Sequence, residues 1–127
     1  MQVTKHFKLS EFACKDGTQV PEKYQGNVAA LCLALEHLRE RLGSPVVIIS
    51  GYRTKEYNRR VGGAAKSKHL TASAADVRLS GKSPAEVSTC LEELIAEGTI
   101  PQGGIGVYPS QNFTHYDIRL TMARWDG

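Results

Sequence analysis

Residues 103–119 read GGIGVYPSQNFTHYDIR. Two β-rich runs, Gly103 to Tyr108 and Asn112 to Arg119, flank a turn at Pro109 and Ser110, so the stretch reads as a hairpin. A hairpin makes at least part of the sheet antiparallel. Upstream, Ser83, Pro84 and Glu86 form a helix start of cap, first-turn proline and capping-box glutamate. That helix continues to about Glu97, with Val87, Leu91, Leu94 and Ile95 inward, and Gly98 ends it. Ala74 to Leu79 and the short, β-branched Val46 to Ser50 are strand candidates. Thr54 caps a short helix through Val61, Gly62 and Gly63 break it, and a loop of small residues leads to Lys68. The longest helix runs from Pro21 or Glu22 to Leu42 on the stripe Val28, Leu31, Cys32, Leu35, Leu38 and Leu42, with Gly43 as its stop. A helical turn at Ser10 to Ala13, capped by Ser10, precedes it. This order predicts an α+β fold: a small, partly antiparallel sheet with helices packed on one face.

The 127 residues suit one domain spanning 1–127 that needs no staples. With 41% hydrophobic and 23% charged residues, composition excludes a disordered or fibrous chain. No apolar run approaches the roughly 20 residues of a membrane helix, so no membrane insertion is expected. A net charge of +3, with scattered basic residues, is too small to signal nucleic acid. The three cysteines, Cys14, Cys32 and Cys90, show neither disulfide-framework nor zinc-knuckle spacing. The N-terminal MQVTKHFKLSEF lacks the apolar segment of a secretory signal.

Chemistry concentrates around two of the four histidines. In SKHLTASAADVR, His69 precedes Asp76 by seven residues, and the small, uncharged segment between them lets both side chains reach one point. In FTHYDIR, the strand period of two places Phe113, His115, Asp117 and Arg119 on one face, with Cα atoms of His115 and Asp117 roughly 6–7 Å apart. Two imidazoles and a carboxylate suit zinc, which in catalytic sites takes three protein ligands and keeps one position open. His6 and His37 have no such partners nearby. Tyr52, Tyr108 and Tyr116 read as core or cleft wall, Trp125 as a packing anchor for the C-terminus, and the glycines near Gly62 and Gly103 as turn formers.

Four segments, SEFACKDG, SGYRTKEYNRRVGGA, SKHLTASAAD and GIGVYPSQNFTHYDIR, together with a closing ARW, resemble the zinc D-alanyl-D-alanine carboxypeptidases and their hedgehog-like relatives. The likeness is greatest to the short branch of murein endopeptidases and phage lysins. It implies one zinc per chain, held by His69, Asp76 and His115. It implies that Arg53 steadies the polarised carbonyl or a substrate carboxylate, and that Ser67 contacts the substrate backbone. Two positions depart from the pattern. Ala72 stands where the family usually has glycine, which matters if that position has positive φ. Asn112 stands where several relatives carry a carboxylate, and Phe113 where others carry a histidine. Asp117 is then the nearest candidate for the general base, with Glu11 or Glu56 next. Its alternative role is to orient His115 or to pair with Arg53 or Arg119.

The resemblance thus implies a monomeric zinc-dependent hydrolase of peptide bonds in peptidoglycan stem or cross-bridge peptides. It would act at the cell wall, as an exported enzyme or a phage-delivered lysin. The competing reading is a zinc-stabilised module that binds wall peptides or a protein without cutting.

Overall fold

The computed structural model describes residues 1–127. Strands β1 (Gln2–Thr4) and β2 (Phe7–Lys8) form a small hairpin, followed by a 3-10 turn at Leu9–Phe12. A second 3-10 turn at Glu22–Tyr24 runs into helix α1 (Gln25–Leu42). Then come β3 (Val46–Ser50), α2 (Lys55–Arg60), β4 (Ala74–Leu79) and α3 (Pro84–Ala96). Strands β5 (Gly104–Tyr108), β6 (Phe113–Asp117) and β7 (Ala123–Asp126) complete the chain. The main sheet has the order β3-β4-β6-β5-β7. Every pair in it is antiparallel except β5 with β7.

The fold is α+β, as expected. Its helix signals work as the residues dictate. Gly43 stops α1 at φ 63°, its N–H donating to the Arg39 carbonyl. Thr54 Oγ1 accepts the Tyr57 N–H, and Ser83 and Glu86 close a reciprocal capping box. The stripe Val28, Leu31, Cys32, Leu35 and Leu38 is buried with Val87, Leu91 and Leu94 of α3 against one face of the sheet. Each fully buried leucine there contributes about 1.5–3 kcal/mol relative to exposure. No helix is long and apolar enough to cross a membrane.

Some local expectations need correction. Ser10 is no cap: the turn starts at Leu9, and Lys8 N–H donates to the Glu11 carboxylate. The loop before β4 contains a 3-10 turn at Lys68–Thr71 capped by Ser67. β6 ends at Asp117 rather than Arg119, and Asn112 closes the preceding turn at φ 55°. The β1–β2 hairpin and β7 went unread, because strands of two to four residues are too short for periodicity to show.

Alternation divides the main sheet into two functions. Ala75 pairs with Tyr116, which pairs with Ile105, and all three are buried in the core toward the helices. The intervening residues face the other way. There Ser50, Asp76, His115, Gly106 and Trp125 lie in one row across all five strands. An irregularity between Ile48 and Ser50 brings Ser50, rather than Ile49, opposite Asp76.

Candidate metal centre and its cleft

The row gives the site its geometry. His69, from the 3-10 turn, joins Asp76 of β4 and His115 of β6, with one donor atom from each within 4.8 Å of the others. All three are buried, at 2%, 4% and 6% exposure, so an unpaired charge there would be costly. His69 Nε2 lies 3.3 Å and His115 Nδ1 3.0 Å from Asp76 Oδ1.

The outer partners decide which ring nitrogens carry hydrogen. His69 Nδ1 is 2.7 Å from the Gly51 carbonyl oxygen, a pure acceptor, so Nδ1 donates. His115 Nε2 is 2.7 Å from Asp117 Oδ2 and donates to it. In neutral rings the remaining nitrogens present lone pairs, and both converge on a carboxylate oxygen. Three acceptors facing one point need a cation between them, and this donor set of two imidazoles and a carboxylate fits zinc. Without a metal, protons take that place. Burial disfavours charge on His115, but Asp117 and Asp76 outweigh it and raise the pKa of the ring. Burial likewise pushes the Asp76 carboxyl up, yet the hydrogen bonds from His115 and His69 hold it well below the ordinary carboxylate range.

Arg53 sits on the loop after β3, and all three nitrogen positions of its guanidinium are held. Nε donates to Ser50 Oγ at 3.2 Å, Nη1 to Asn58 Oδ1 at 3.2 Å and Nη2 to Asp76 Oδ2 at 3.3 Å. Buried Asn58, on α2, donates in turn to the Ala64 carbonyl. Gly63 packs so closely that a Cβ there would stand 1.9 Å from Asn58 Oδ1. Ser67 Oγ accepts the His69 N–H at 3.2 Å and lines the cleft, leaving its own hydroxyl hydrogen for another acceptor. Ala72, at φ 56°, occupies the left-handed conformation that glycine would tolerate best.

Asp117, the candidate base, is enclosed by the protein. It is 0% exposed and does not line the cleft. Its Oδ2 accepts from His115 Nε2 and Arg119 Nη2, and its Oδ1 from Arg119 Nε, the Arg119 N–H and the Gly104 N–H. Burial raises its pKa, but His115, Arg119 and Gly104 together hold it well below the usual carboxylate range. A carboxylate so enclosed is placed to orient the imidazole through His115 Nε2. Neither alternative replaces it: Glu11 caps its own turn, Glu56 is an exposed partner of Arg60, and neither reaches the cleft.

The cleft has a volume of about 530 Å³. Besides the metal-type donors it is lined by Arg53, Lys66, Lys68 and Arg119, and by Tyr108, Phe113 and Trp125. Tyr108 stacks on Phe113 at 4.4 Å, and Trp125 Nε1 donates to the Tyr108 hydroxyl at 2.8 Å. The indole lies 4.9 Å from the His115 ring, so Trp125 is a wall of the cleft rather than only a terminal anchor. Sequence reading missed Asn58, Trp125 and the clearing role of Gly104 and Gly106. Two glycines spaced by two within a strand were the available signal, since they mark close approach by neighbours.

A comparison with curated proteins gives no match. The model of one family, Peptidase M15, matches residues 5–117 of the 127. The chain therefore belongs to the M15 peptidases, a family of zinc-dependent metallopeptidases.

Proposed function

We propose that this peptidase hydrolyses peptide bonds in bacterial peptidoglycan, in stem or cross-bridge peptides, with zinc held by His69, Asp76 and His115. The observation that carries the metal assignment is the convergence of two outward lone pairs and a carboxylate oxygen on one buried point, beside an open cleft. Zinc bound there supplies Lewis acidity, polarising a carbonyl and acidifying water.

The chain's own residues orient the metal ligands and bind the substrate. The Gly51 carbonyl and Asp117 fix the two imidazole planes, so each ring offers a single nitrogen. Arg53, held by Ser50, Asn58 and Asp76, presents positive charge to the carbonyl oxygen as it becomes negative. Ser67 donates its hydroxyl to the substrate backbone. Such a substrate puts the site of action at the cell wall, reached by export or by phage delivery.

One observation favours a second reading, a zinc-stabilised binding module: Asp76 is the only carboxylate lining the cleft, and it faces the histidines. Incubating the zinc-loaded chain with purified sacculi and weighing the released fragments by mass spectrometry separates the two. Cleavage is expected, with the masses naming the bond. It should stop with chelator and in His69→Ala, which elemental analysis should find without zinc. Binding to sacculi with no fragment released would remove the hydrolase reading, and full zinc retention in His69→Ala would remove the ligand assignment.

A further inference from the structure

The matched family region ends at Asp117, yet the chain after it supplies two residues of the cleft wall, Arg119 and Trp125. Trp125 reaches the site because β5 offers no side chain beneath it. A Cβ on Gly106 would stand 2.4 Å from the indole nitrogen. Gly104 does the same for the neighbouring pair, where a Cβ would lie 2.3 Å from Asp117 Oδ2 and 3.0 Å from Arg119 Nε.

Arg119 is used on one edge only. Nε and Nη2 each donate to Asp117 at 2.8 Å, and Cζ stands 5.4 Å from the Trp125 ring centroid. Nη1 has no hydrogen-bond partner within the protein, and the side chain is 27% exposed. The guanidinium is thus braced by Asp117 and by the indole face, while its Nη1–Nη2 edge is left for a ligand. That edge is a planar fork suited to a carboxylate. The surroundings favour an anion: Arg53, Lys66, Lys68 and Arg119 line the cleft against the single carboxylate of Asp76. Arg119 also lies close to the reaction point, because Asp117 joins it to His115 and Trp125 joins it to the same ring at 4.9 Å.

We propose that Arg119 is a specificity-determining residue whose free guanidinium edge, braced on Trp125 and Asp117, binds a carboxylate of the peptide substrate beside the scissile bond. The preferred substrate is then an acidic peptide. This rests on the peptidase reading, and the test separates the two.

The zinc-loaded chain is assayed on matched peptide pairs that span the bond identified from sacculi. The members of a pair differ only in one adjacent group, glutamate against glutamine or a terminal carboxylate against its carboxamide. Wild type is expected to cleave the acidic member of one pair about 10- to 100-fold better in kcat/KM, the scale of a hydrogen bond to a charged group. Arg119→Gln should bring that ratio close to one. Any loss through Asp117 and His115 would lower both members equally and leave the ratio alone. Equal wild-type rates within every pair overturn the proposal, whether or not the variant folds. An unchanged ratio in a folded Arg119→Gln also overturns it. If wild type cleaves neither sacculi nor any peptide, the peptidase reading fails. The same pairs, made on stem-peptide sequences, are then titrated onto the metal-free chain, following the emission of Trp125, the sole tryptophan. Tighter binding of the acidic member, lost in Arg119→Gln, upholds the subsite, and equal binding overturns it.

Discussion

Asp117 shows how a residue's role follows from what encloses it. Sequence placed it beside His115 as a possible base, and tertiary structure surrounds it with five donor contacts. Asp117→Asn is therefore expected to weaken zinc affinity by about 10–100-fold, the usual consequence of losing an orienting partner. Activity should return at excess metal. A loss of turnover that persists at full zinc occupancy would restore the proton-shuttle role. Arg53 gives a second residue-scale expectation. A lysine cannot serve Ser50, Asn58 and Asp76 at once, so Arg53→Lys should retain zinc but lose on the order of 100-fold in kcat. Rates near wild type would make Arg53 a structural residue.

Strand β5 works by what it lacks. Its glycines at 104 and 106 face the site and admit Asp117 of β6, Arg119 of the segment that follows it and Trp125 of β7. Gly106→Ala puts a methyl group against the indole, so the ring must leave its seat over His115. Overpacking of this kind costs about 1–3 kcal/mol. Denaturation followed by Trp125 emission checks it, and unchanged stability with an unchanged spectrum would mean that the indole does not rest there. The cleft-facing row was hidden from sequence for the same reason. Alternation tells which face a residue takes, but β7 is four residues long and pairs in parallel with a strand fifteen residues before it.

At the scale of the whole molecule, the N-terminal hairpin is tied to α1 through one carboxylate. Glu36 accepts from the Thr4 hydroxyl at 2.7 Å and the His6 N–H at 2.8 Å, and His6 Nδ1 lies 2.6 Å from it. Burial raises the Glu36 pKa, but the contacts with His6 and Thr4 outweigh it and leave it below its ordinary value of 4.5. A carboxylate with a depressed folded pKa contributes stability above its unfolded pKa and loses it as pH falls through the folded one. Wild type should therefore lose stability as pH drops below about 4.5. In Glu36→Gln that part of the loss should be absent and the neutral-pH stability lower. Parallel pH profiles for the two proteins would show that the hairpin is held by other contacts.

By itself, the sequence determined the three α-helices, the caps at Thr54 and Ser83, the stop at Gly43, the α+β class, and the donor types at His69, Asp76 and His115. These are local properties, written in periodicity, in capping residues and in side-chain chemistry. Tertiary structure alone decided that Ser50, Asp76, His115, Gly106 and Trp125 share one row, which ring nitrogens face inward, and that Asp117 is sealed from the cleft. The reason is physical. Strand register between distant segments is set by packing of the opposite face and by the irregularity before Ser50, and hydrogen-bond partners follow from register.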